Sequence, residues 1–263
     1  MSKSLKKAYL WLIILFLYAP ILVLMVLSFN DSRSRATWGG FTFRWYIELF
    51  KDRDILLALY YTLAIGLLSS VIATIIGTFA AIGIFGYKKL SYSLVKNISY
   101  IPVINADIVT GVSLMLMFVF LGINQGFFTL LLAHITFNIP YIIFSVLPKL
   151  HQMDIHVYEA ALDLGANPFM SIIKVVIPEI RPGIITGFLL AFTLSIDDFV
   201  ISFFTSGPGV TNLSIEIYSM ARRGINPKIN ALSTLMFVVV MALLLIVNKR
   251  SASNTEKKVR RDI

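Results

Sequence analysis

Three aspartates interrupt long stretches of the sequence that are otherwise apolar. Asp107 lies in the stretch of residues 98–121, and Asp197 and Asp198 stand side by side in the stretch of residues 183–205. Neither stretch contains a lysine or arginine that could neutralise these carboxylates at the same depth. A carboxylate at the centre of a bilayer costs about 2.5–3.5 kcal/mol on insertion scales, so it should face protein or a water-filled path. Such a path suits a cationic amine, whose ammonium groups need oxygen ligands or aromatic faces after leaving water.

Aromatic residues near the aspartates could supply those faces. The candidates are Phe199, Phe203, Phe204 and Tyr218, of which Phe199 and Tyr218 are assigned to the pathway, although aromatic residues here more commonly serve packing alone. The alternative for Asp197 and Asp198 is structural: one caps a break in a helix or meets an arginine of the following loop, and the other is held neutral. On a continuous helix the two side chains would point about 100° apart, so only one would face a given path. Both interpretations remain open from the residues alone.

No catalytic site is indicated by the residue types. The chain has no cysteine, and only one of its three histidines, His134, lies in an apolar stretch. The sequence contains neither a His-x-x-x-His pair nor a glycine-rich loop ending in Lys-Ser/Thr, so any ATP chemistry must come from a partner. His134 has no acidic neighbour at helical spacing and is interpreted as a hydrogen-bonded packing residue rather than a proton relay. The sequence predicts a protein that is not an enzyme and that holds no metal and no cofactor.

The elements that position these residues are predicted to be membrane helices. Of 263 residues, 57% are hydrophobic and 14% are charged, whereas soluble domains have about 25% charged residues. Stretches of about 20 apolar residues are needed to cross the hydrocarbon, and six qualify. They cover roughly residues 8–28, 57–84, 98–121, 127–148, 183–205 and 229–247. The sequence therefore predicts an all-α integral membrane protein, with residues 1–263 forming a single domain of six transmembrane helices.

The basic residues predict the orientation of these helices. Fifteen of the 23 lysines and arginines fall in the segments that share a side with both termini, and eight fall on the other side. Because basic residues accumulate in cytoplasmic segments, both termini and the loop of residues 149–181 are predicted to be cytoplasmic. The outer loop of residues 29–56 contains an aromatic-rich segment, interpreted as an interfacial belt, with a docking surface for an outside partner as the alternative. The net charge of +9 is attributed to orientation rather than to nucleic-acid binding.

The cytoplasmic loop of residues 149–181 holds a second group of candidate functional residues. Asp154 can cap a short helix, and Gly165 can end it in the left-handed conformation. Asn167 and Pro168 suit the start of a second short helix. One face of the first helix carries Ile155, Tyr158 and Leu162, and another carries His156, Glu159 and Asp163. The loop is therefore either an amphipathic connector at the membrane surface or a docking element for a partner.

The motif Glu159-Ala160-Ala161, followed by Gly165 and later by Ile177-Pro178, resembles the EAA loop of ABC-importer permeases. The resemblance implies a type I ABC importer permease fold, in which this loop forms a coupling helix seated in a cleft of a cytoplasmic ATPase subunit. The coupling residues implied are Tyr158, Glu159, Ala160, Ala161, Asp163 and Gly165. In that setting the helix is expected to transmit movement rather than to catalyse a reaction.

Three other segments are similar to the permeases of spermidine/putrescine transport systems. They are Asp107-Ile108-Val109, the run from Ser195 to Val200 with Ser206-Gly207-Pro208, and the run from Ile225 to Leu232. This resemblance implies a polyamine pathway that includes Asp107, Asp197, Asp198, Phe199 and Tyr218. It also implies a bacterial plasma membrane location, a second permease subunit, two ATPase subunits inside and a polyamine-binding protein outside. The same machinery carrying another solute, a cation channel and an intramembrane enzyme are the alternatives.

Overall fold

The computed structural model describes residues 3–32, 34, 37–86, 89–224 and 227–259. Arg33, Arg35, Lys88, Ile225, Asn226, Arg260 and Arg261, which entered the orientation and resemblance arguments, lie outside the described residues. The helices are α1 (Lys3–Leu27), α2 (Arg44–Leu49), α3 (Arg53–Phe85), α4 (Lys89–Ile104), α5 (Asp107–Phe120), α6 (Phe127–Gln152), α7 (Ile155–Asp163), α8 (Pro168–Ser171), α9 (Ile177–Asp197), α10 (Val200–Thr205), α11 (Leu213–Arg223) and α12 (Lys228–Val259). A π-helical turn, Ile172–Val176, joins α8 to α9. The all-α prediction is confirmed.

Long apolar helices account for most of the predicted membrane spans. Within the described ranges, five helical segments are long and apolar enough to cross a membrane. They are Leu5–Leu27, Arg53–Phe85, Phe127–Gln152, Pro168–Asp197 and Lys228–Leu245. A sixth crossing is formed if α4 and α5 are counted together, although they are bent by 100° at a short break. With that pair counted as one span, the described residues contain six segments suited by length and composition to cross a membrane, the number that the sequence predicts.

Two of the expected spans are not continuous helices. The stretch of residues 98–121 breaks between α4 and α5, where Ala106 has an extended backbone (φ −65°, ψ 136°). The stretch of residues 183–205 breaks between α9 and α10, where Asp198 is extended as well (φ −64°, ψ 124°). An extended residue cannot continue the helical ladder, so backbone groups at each break need other partners. The polar residues at both breaks therefore lie beside backbone groups that need hydrogen-bond partners. The apolar pattern of the sequence does not show this need.

The helices group into two compact units, of which the first comprises Met1–Leu59 and Leu213–Ala242. Its apolar core is formed by Trp45, Leu49, Ile55, Ala58, Leu213, Met220, Ile229, Ala231 and Leu232. The buried Trp45 ring donates its Nε1 hydrogen to the Asn30 carbonyl over 2.8 Å, which ties α2 to the segment after α1. Four aromatic rings, Phe29, Phe41, Phe43 and Tyr46, pack on one another beside it. The described residues of the loop 29–56 thus pack as part of this unit rather than forming a simple turn.

The second unit comprises Tyr60–Asn212 and Leu243–Ile263, and α6 lies at its core. One apolar cluster on α6 includes Ile142, Val146 and Leu150, packed with residues of α3 and α9. Gly183 permits the close approach of α9, because a Cβ there would lie 2.8 Å from the Ser145 carbonyl oxygen. Small residues at such crossings are the usual way for membrane helices to pack tightly. This tight α6–α9 pair supports the break at the end of α9.

Candidate functional site

The first break places Asp107 at the start of α5. Asp107 is exposed, and its carboxylate interacts electrostatically with Tyr141 of α6. Gly111, one turn further along α5, meets α10 closely: a Cβ there would lie 3.1 Å from the Phe204 ring and 3.4 Å from the Ile201 Cα. Residues four apart share one face of a helix. Asp107 therefore lies on the face of α5 that packs against α10.

The second break holds Asp197, Asp198 and Phe199 between α9 and α10. Asp197 is the last residue of α9 and is exposed, whereas the Asp198 side chain is only 7% exposed. Phe199 is half-buried, with its ring centroid 5.5 Å from that of Phe203. Because α5 packs on α10, the two breaks belong to one region of the second unit. The structure thus places four of the predicted pathway residues, Asp107, Asp197, Asp198 and Phe199, at two breaks whose following helices, α5 and α10, pack together.

The Asp198 carboxylate is held by the first turn of α10. Its Oδ2 accepts hydrogen bonds from the Ser202 backbone N–H over 2.7 Å and from the Ser202 hydroxyl over 2.8 Å. Its Oδ1 accepts from the Ile201 backbone N–H over 3.2 Å. The N–H groups in the first turn of a helix have no partner within the helix, so a side-chain oxygen that accepts from them stabilises the helix start. Asp198 therefore caps a broken helix, which matches the structural alternative for this pair of aspartates.

Two more buried side chains complete this polar cluster. The Asn212 amide donates to the Ser202 hydroxyl over 2.7 Å and to the Asp198 carbonyl over 3.0 Å. Nε2 of His134 lies 3.0 Å from the Ser202 hydroxyl oxygen and 3.6 Å from Oδ2 of Asp198. The interpretation of His134 as a hydrogen-bonded residue is confirmed. Its link to Asp198 was missed, because the two residues are far apart in the chain and only the fold brings them together.

Tyr218, the fifth predicted pathway residue, lies in the first unit. It is on α11 and is 43% exposed. The same unit has an open cleft of about 490 Å³ lined by Glu48, Lys51, Asp52, Arg53, Asp54 and Lys228. Partial burial raises the pKa of the Glu216 carboxyl on α11, Arg223 opposes the rise, and Asp54 and Asp52 add to it. This unit therefore carries a mixed acidic and basic surface of its own.

The predicted coupling helix is α7, and both of its ends have the expected structure. The Asp154 side chain accepts a hydrogen bond from the His156 backbone N–H over 3.0 Å. Gly165 has φ +86°; its N–H bonds to the Leu162 carbonyl over 2.9 Å, and the next N–H bonds to the Ala161 carbonyl over 3.1 Å. This pair of bonds is a Schellman motif, which requires the left-handed residue at Gly165. The predictions for both ends of α7 are confirmed.

The second short helix of this loop also begins as expected. The Asn167 side chain accepts from the Met170 backbone N–H over 2.7 Å, and Pro168 occupies the first helical position. Helices α7 and α8 thus form a helix–turn–helix. In it, α7 packs against α8 and against the π-helical turn. Tyr158 packs against the apolar cluster on α6. The remainder of α7 is available for contacts with another molecule.

The exposed side of α7 carries most of the predicted coupling residues. The Glu159 side chain is 59% exposed and its Oε2 lies 3.1 Å from Nδ1 of His156. Ala160, Asp163 and Gly165 are exposed, while Ala161 is half-buried. Two large apolar side chains nearby, Leu164 and Phe169, are 89% and 64% exposed. A small acidic surface with apolar neighbours therefore projects from this loop.

Comparison with known proteins assigns the chain to a family. The profile of the family described as "Binding-protein-dependent transport system inner membrane component" matches residues 73–261, well over half of the chain. The chain belongs to that family. As an inner membrane component with several apolar helices, it is a multi-pass membrane protein. The resemblance to ABC-importer permeases noted in the sequence is confirmed.

Curated relatives of this inner membrane component are transport permeases. It is 36% identical over 258 residues to the spermidine/putrescine transport system permease protein PotC of Escherichia coli (strain K12), covering 97% of this chain and 98% of that protein. It is 41% identical over 233 residues to the putrescine transport system permease protein PotI of the same strain, covering 86% and 83%. The similarity to the polyamine permeases predicted from the sequence is therefore confirmed over most of the chain.

Solved structures show that this inner membrane component has an ABC importer permease fold. A bacterial ABC transporter involved in the import of the acidic polysaccharide alginate matches with a TM-score of 0.70 and 19% identity, covering 95% of this chain and 98% of that one. The methionine ABC transporter MetNI in an inward-facing conformation matches with a TM-score of 0.63 and 19% identity, covering 77% and 98%. The predicted type I fold is confirmed.

Proposed function

We propose that this chain is one of two permease subunits that form the membrane pathway of an ATP-driven importer of polyamines such as spermidine and putrescine. The observation that carries the proposal is the pair of exposed carboxylates, Asp107 and Asp197, at two neighbouring helix breaks. Broken helices at membrane depth are tolerated where they line a cavity or are buried in protein. The names of the PotC and PotI relatives support the same class of substrate.

The fold by itself does not select a cation. The transporter of an acidic polysaccharide shares this fold at a TM-score of 0.70, so the sign of the substrate's charge must depend on the residues along the pathway. In this chain the two broken stretches contain aspartates and no basic residue. A cationic amine compensates those carboxylates, whereas an anion would meet charges of its own sign.

The pathway residues have different roles in this proposal. Asp107 and Asp197 contact ammonium groups directly, and Phe199 and Tyr218 provide aromatic faces. Asp198 belongs to the same break, but its carboxylate already receives bonds from the Ile201 and Ser202 backbone N–H groups and from the Ser202 hydroxyl. Asp198 therefore shapes the pathway through the backbone rather than through a direct contact with substrate.

The partners follow from the two surfaces of the chain. A second permease subunit completes the pathway, and a polyamine-binding protein delivers substrate from outside the cell. Two ATPase subunits bind on the cytoplasmic face, where α7 presents Tyr158, Glu159, Ala160, Ala161, Asp163 and Gly165. The exposed Leu164 and Phe169 side chains support docking at this surface, because large apolar groups in water favour burial against a partner. ATP is hydrolysed by the partner, and the chain itself needs no cofactor, binds no nucleic acid and contacts lipid.

Residues 1–263 act in this proposal as a single permease domain of the bacterial plasma membrane, with both termini cytoplasmic. The asymmetry of basic residues supports that orientation. The cytoplasmic position of the loop between the α6 and α8 helices then follows, because it lies on the same side as the termini. That position is the one that an ATPase partner requires.

Uptake by the assembled transporter tests the function. The complex, reconstituted with its ATPase and binding-protein partners in vesicles, should import labelled spermidine or putrescine when ATP is supplied. Asp107→Asn and Asp197→Asn should each lower uptake roughly ten- to a hundredfold, because a contact to a charged group is worth about 1.5–3 kcal/mol. Glu179→Gln is the matched control, since it removes a charge from an exposed position on the same helix as Asp197 but far from the break.

The possible outcomes test the substrate assignment and the residue assignments separately. Import of neither amine by the wild-type complex would refute the polyamine assignment. Normal uptake by both Asn variants would remove Asp107 and Asp197 from the pathway and leave the substrate assignment in place. Equal losses in Glu179→Gln would show that the effect of the Asn variants is not specific to the breaks.

A further inference from the structure

We propose that His134 is a positioning residue for substrate passage, which acts by fixing the break between α9 and α10 through Ser202 and Asp198. The inference rests on the proposed function, since passage of an amine is what the break is positioned for. His134 lies on α6, a different helix from the break, so it can hold the break against the core of the unit. Neither its own charge nor a contact with substrate is required.

The direction of each hydrogen bond identifies the group that His134 supplies. The Ser202 hydroxyl has one proton, which it donates to Oδ2 of Asp198 over 2.8 Å. Its oxygen accepts from the Asn212 amide over 2.7 Å, so the 3.0 Å contact with Nε2 of His134 must also be donated to that oxygen. The 3.6 Å separation between Nε2 and the Asp198 carboxylate is too long for a direct hydrogen bond. Nε2–H therefore acts on Asp198 through Ser202.

Burial makes this donor difficult to replace. His134, Ser202 and Asn212 are 2%, 0% and 3% exposed, so water has little access to the cluster. A buried hydrogen bond to a network with a charged member is stronger than the same bond in water, and loss of one partner leaves the others unsatisfied. Removing Nε2–H would leave the Ser202 oxygen with one donor fewer and weaken its hold on the carboxylate.

The cluster controls the residues on both sides of Asp198. Asp197 precedes it and Phe199 follows it, so their directions depend on the backbone of Asp198. That backbone is held at its carbonyl by Asn212 over 3.0 Å, and its carboxylate is held by the first turn of α10. If the cluster loosens, Asp197 and Phe199 move away from the position in which they meet substrate. The caps of α7 are formed by other residues and are unaffected.

The experiment compares two replacements of His134 in the reconstituted complex. His134→Gln keeps an N–H donor at a similar distance from the backbone, and His134→Leu keeps the bulk without a donor. The readout is the number of amine molecules imported per ATP hydrolysed, with hydrolysis stimulated by loaded binding protein. His134→Leu should lower this ratio at least about tenfold, the equivalent of one lost hydrogen bond in a charged network. His134→Gln should remain within about threefold of wild type, and hydrolysis should persist in both.

The matched control is Thr136→Val, which also removes a polar group from α6. Thr136 is exposed, and its hydroxyl donates to the Leu132 carbonyl of its own helix, so its replacement should leave the ratio unchanged. Ser202→Ala removes the hydroxyl through which His134 acts on Asp198, and it alters only a small side chain. This variant tests the proposal if the complex with His134→Leu does not assemble. In that case a ratio lowered at least about tenfold in Ser202→Ala supports the proposal, and a wild-type ratio overturns it.

Three results would overturn the inference. They are a wild-type ratio in His134→Leu, a loss in His134→Gln as large as that in His134→Leu, and a wild-type ratio in the double variant that carries His134→Gln together with Ser202→Ala. A wild-type complex that imports neither amine would overturn the proposed function and this inference together. Normal wild-type import with an unchanged His134→Leu would overturn this inference alone.

Discussion

The first turns of α7 and α10 each donate backbone hydrogen bonds to an aspartate side chain, yet the two aspartates lie in different surroundings. Asp154 is exposed and accepts one bond, from the His156 backbone N–H. Asp198 is 7% exposed at its side chain and accepts three bonds, from Ile201 and Ser202. Water can replace the carboxylate at the start of α7 but has little access to the start of α10. The aspartate cap is therefore a minor contribution to the stability of α7 but a requirement for α10.

The strongest test of this contrast is Asp198→Leu. It leaves two backbone N–H groups and one hydroxyl without an acceptor in a buried site, at about 1–3 kcal/mol for each group. We expect loss of the assembled complex, measured as detergent-stable protein by size-exclusion chromatography. Asp198→Asn keeps an acceptor oxygen and should give an intermediate yield. Wild-type yield and thermal stability in Asp198→Leu would show that the break has no need of its cap.

A large effect confined to the loop of residues 149–181 is expected from Gly165→Val. The φ of +86° at this position is strained for any residue with a Cβ and worst for a β-branched one, although among the described residues none except its chain neighbours comes within 4 Å of the added Cβ. The end of α7 should unwind, and co-purification of the ATPase should be lost while the chain still inserts into the membrane. Gly165→Asn is the control, because Asn enters the left-handed region more easily. Equal binding by both variants would contradict this account of the Schellman motif.

A moderate effect is expected from Glu159→Lys. The His156–Glu159 pair is mostly exposed, so its loss should not measurably change the stability of the chain. Reversing the charge at a docking surface should instead weaken ATPase binding by about tenfold, an effect that grows at low salt. Titration of the purified chain with labelled ATPase measures it, with His156→Gln as a variant that removes the pair without reversing charge. Unchanged affinity in Glu159→Lys would place the docking surface elsewhere.

The smallest effect is expected from Asp154→Ala. Loss of an exposed N-cap costs about 1 kcal/mol, so the first turn of α7 should fray while transport falls by less than about fivefold. Amide hydrogen exchange of α7 measures the fraying, and Asp154→Ser should restore protection because serine is also a good cap. A loss of assembly as severe as that of Asp198→Leu would remove the contrast between the two aspartates.

The structure of the loop of residues 149–181 was predicted well from sequence because it is decided locally. Asp154, Gly165, Asn167 and Pro168 each act on backbone groups within a few positions, and the structure has all of them in the predicted roles. Turn and cap chemistry depends on residue type and short spacing. The resemblance to the EAA loop added the identity of a partner, which no local rule contains.

The break before α5 was not predicted and the break before α10 was only one of two alternatives, because length and hydropathy do not show whether a membrane helix is continuous. Asp107 and Asp198 stood out as charges in apolar stretches, but Asp107 starts α5 because Ala106 before it is extended, and Asp198 is itself the extended residue between α9 and α10. The partners of Asp198 include His134 on another helix, linked through Ser202 at a separation of 68 residues. Contacts at such separations are decided by packing, so sequence spacing could only leave the capping role of Asp198 as one of two alternatives.

The continuous helical segment Pro168–Asp197 contains 30 residues. At 1.5 Å per residue it is roughly 45 Å long, against a hydrocarbon core of about 30 Å. Complete immersion would demand a tilt of about 48°, outside the usual range of about 0–40°, so one end must stand beyond the acyl chains. Lys174, Glu179 and Arg181 make that end the beginning of the segment. Hydrophobic mismatch therefore sets the depth of Asp197, and vesicles of longer or shorter acyl chains should change the rate of import without any change in sequence.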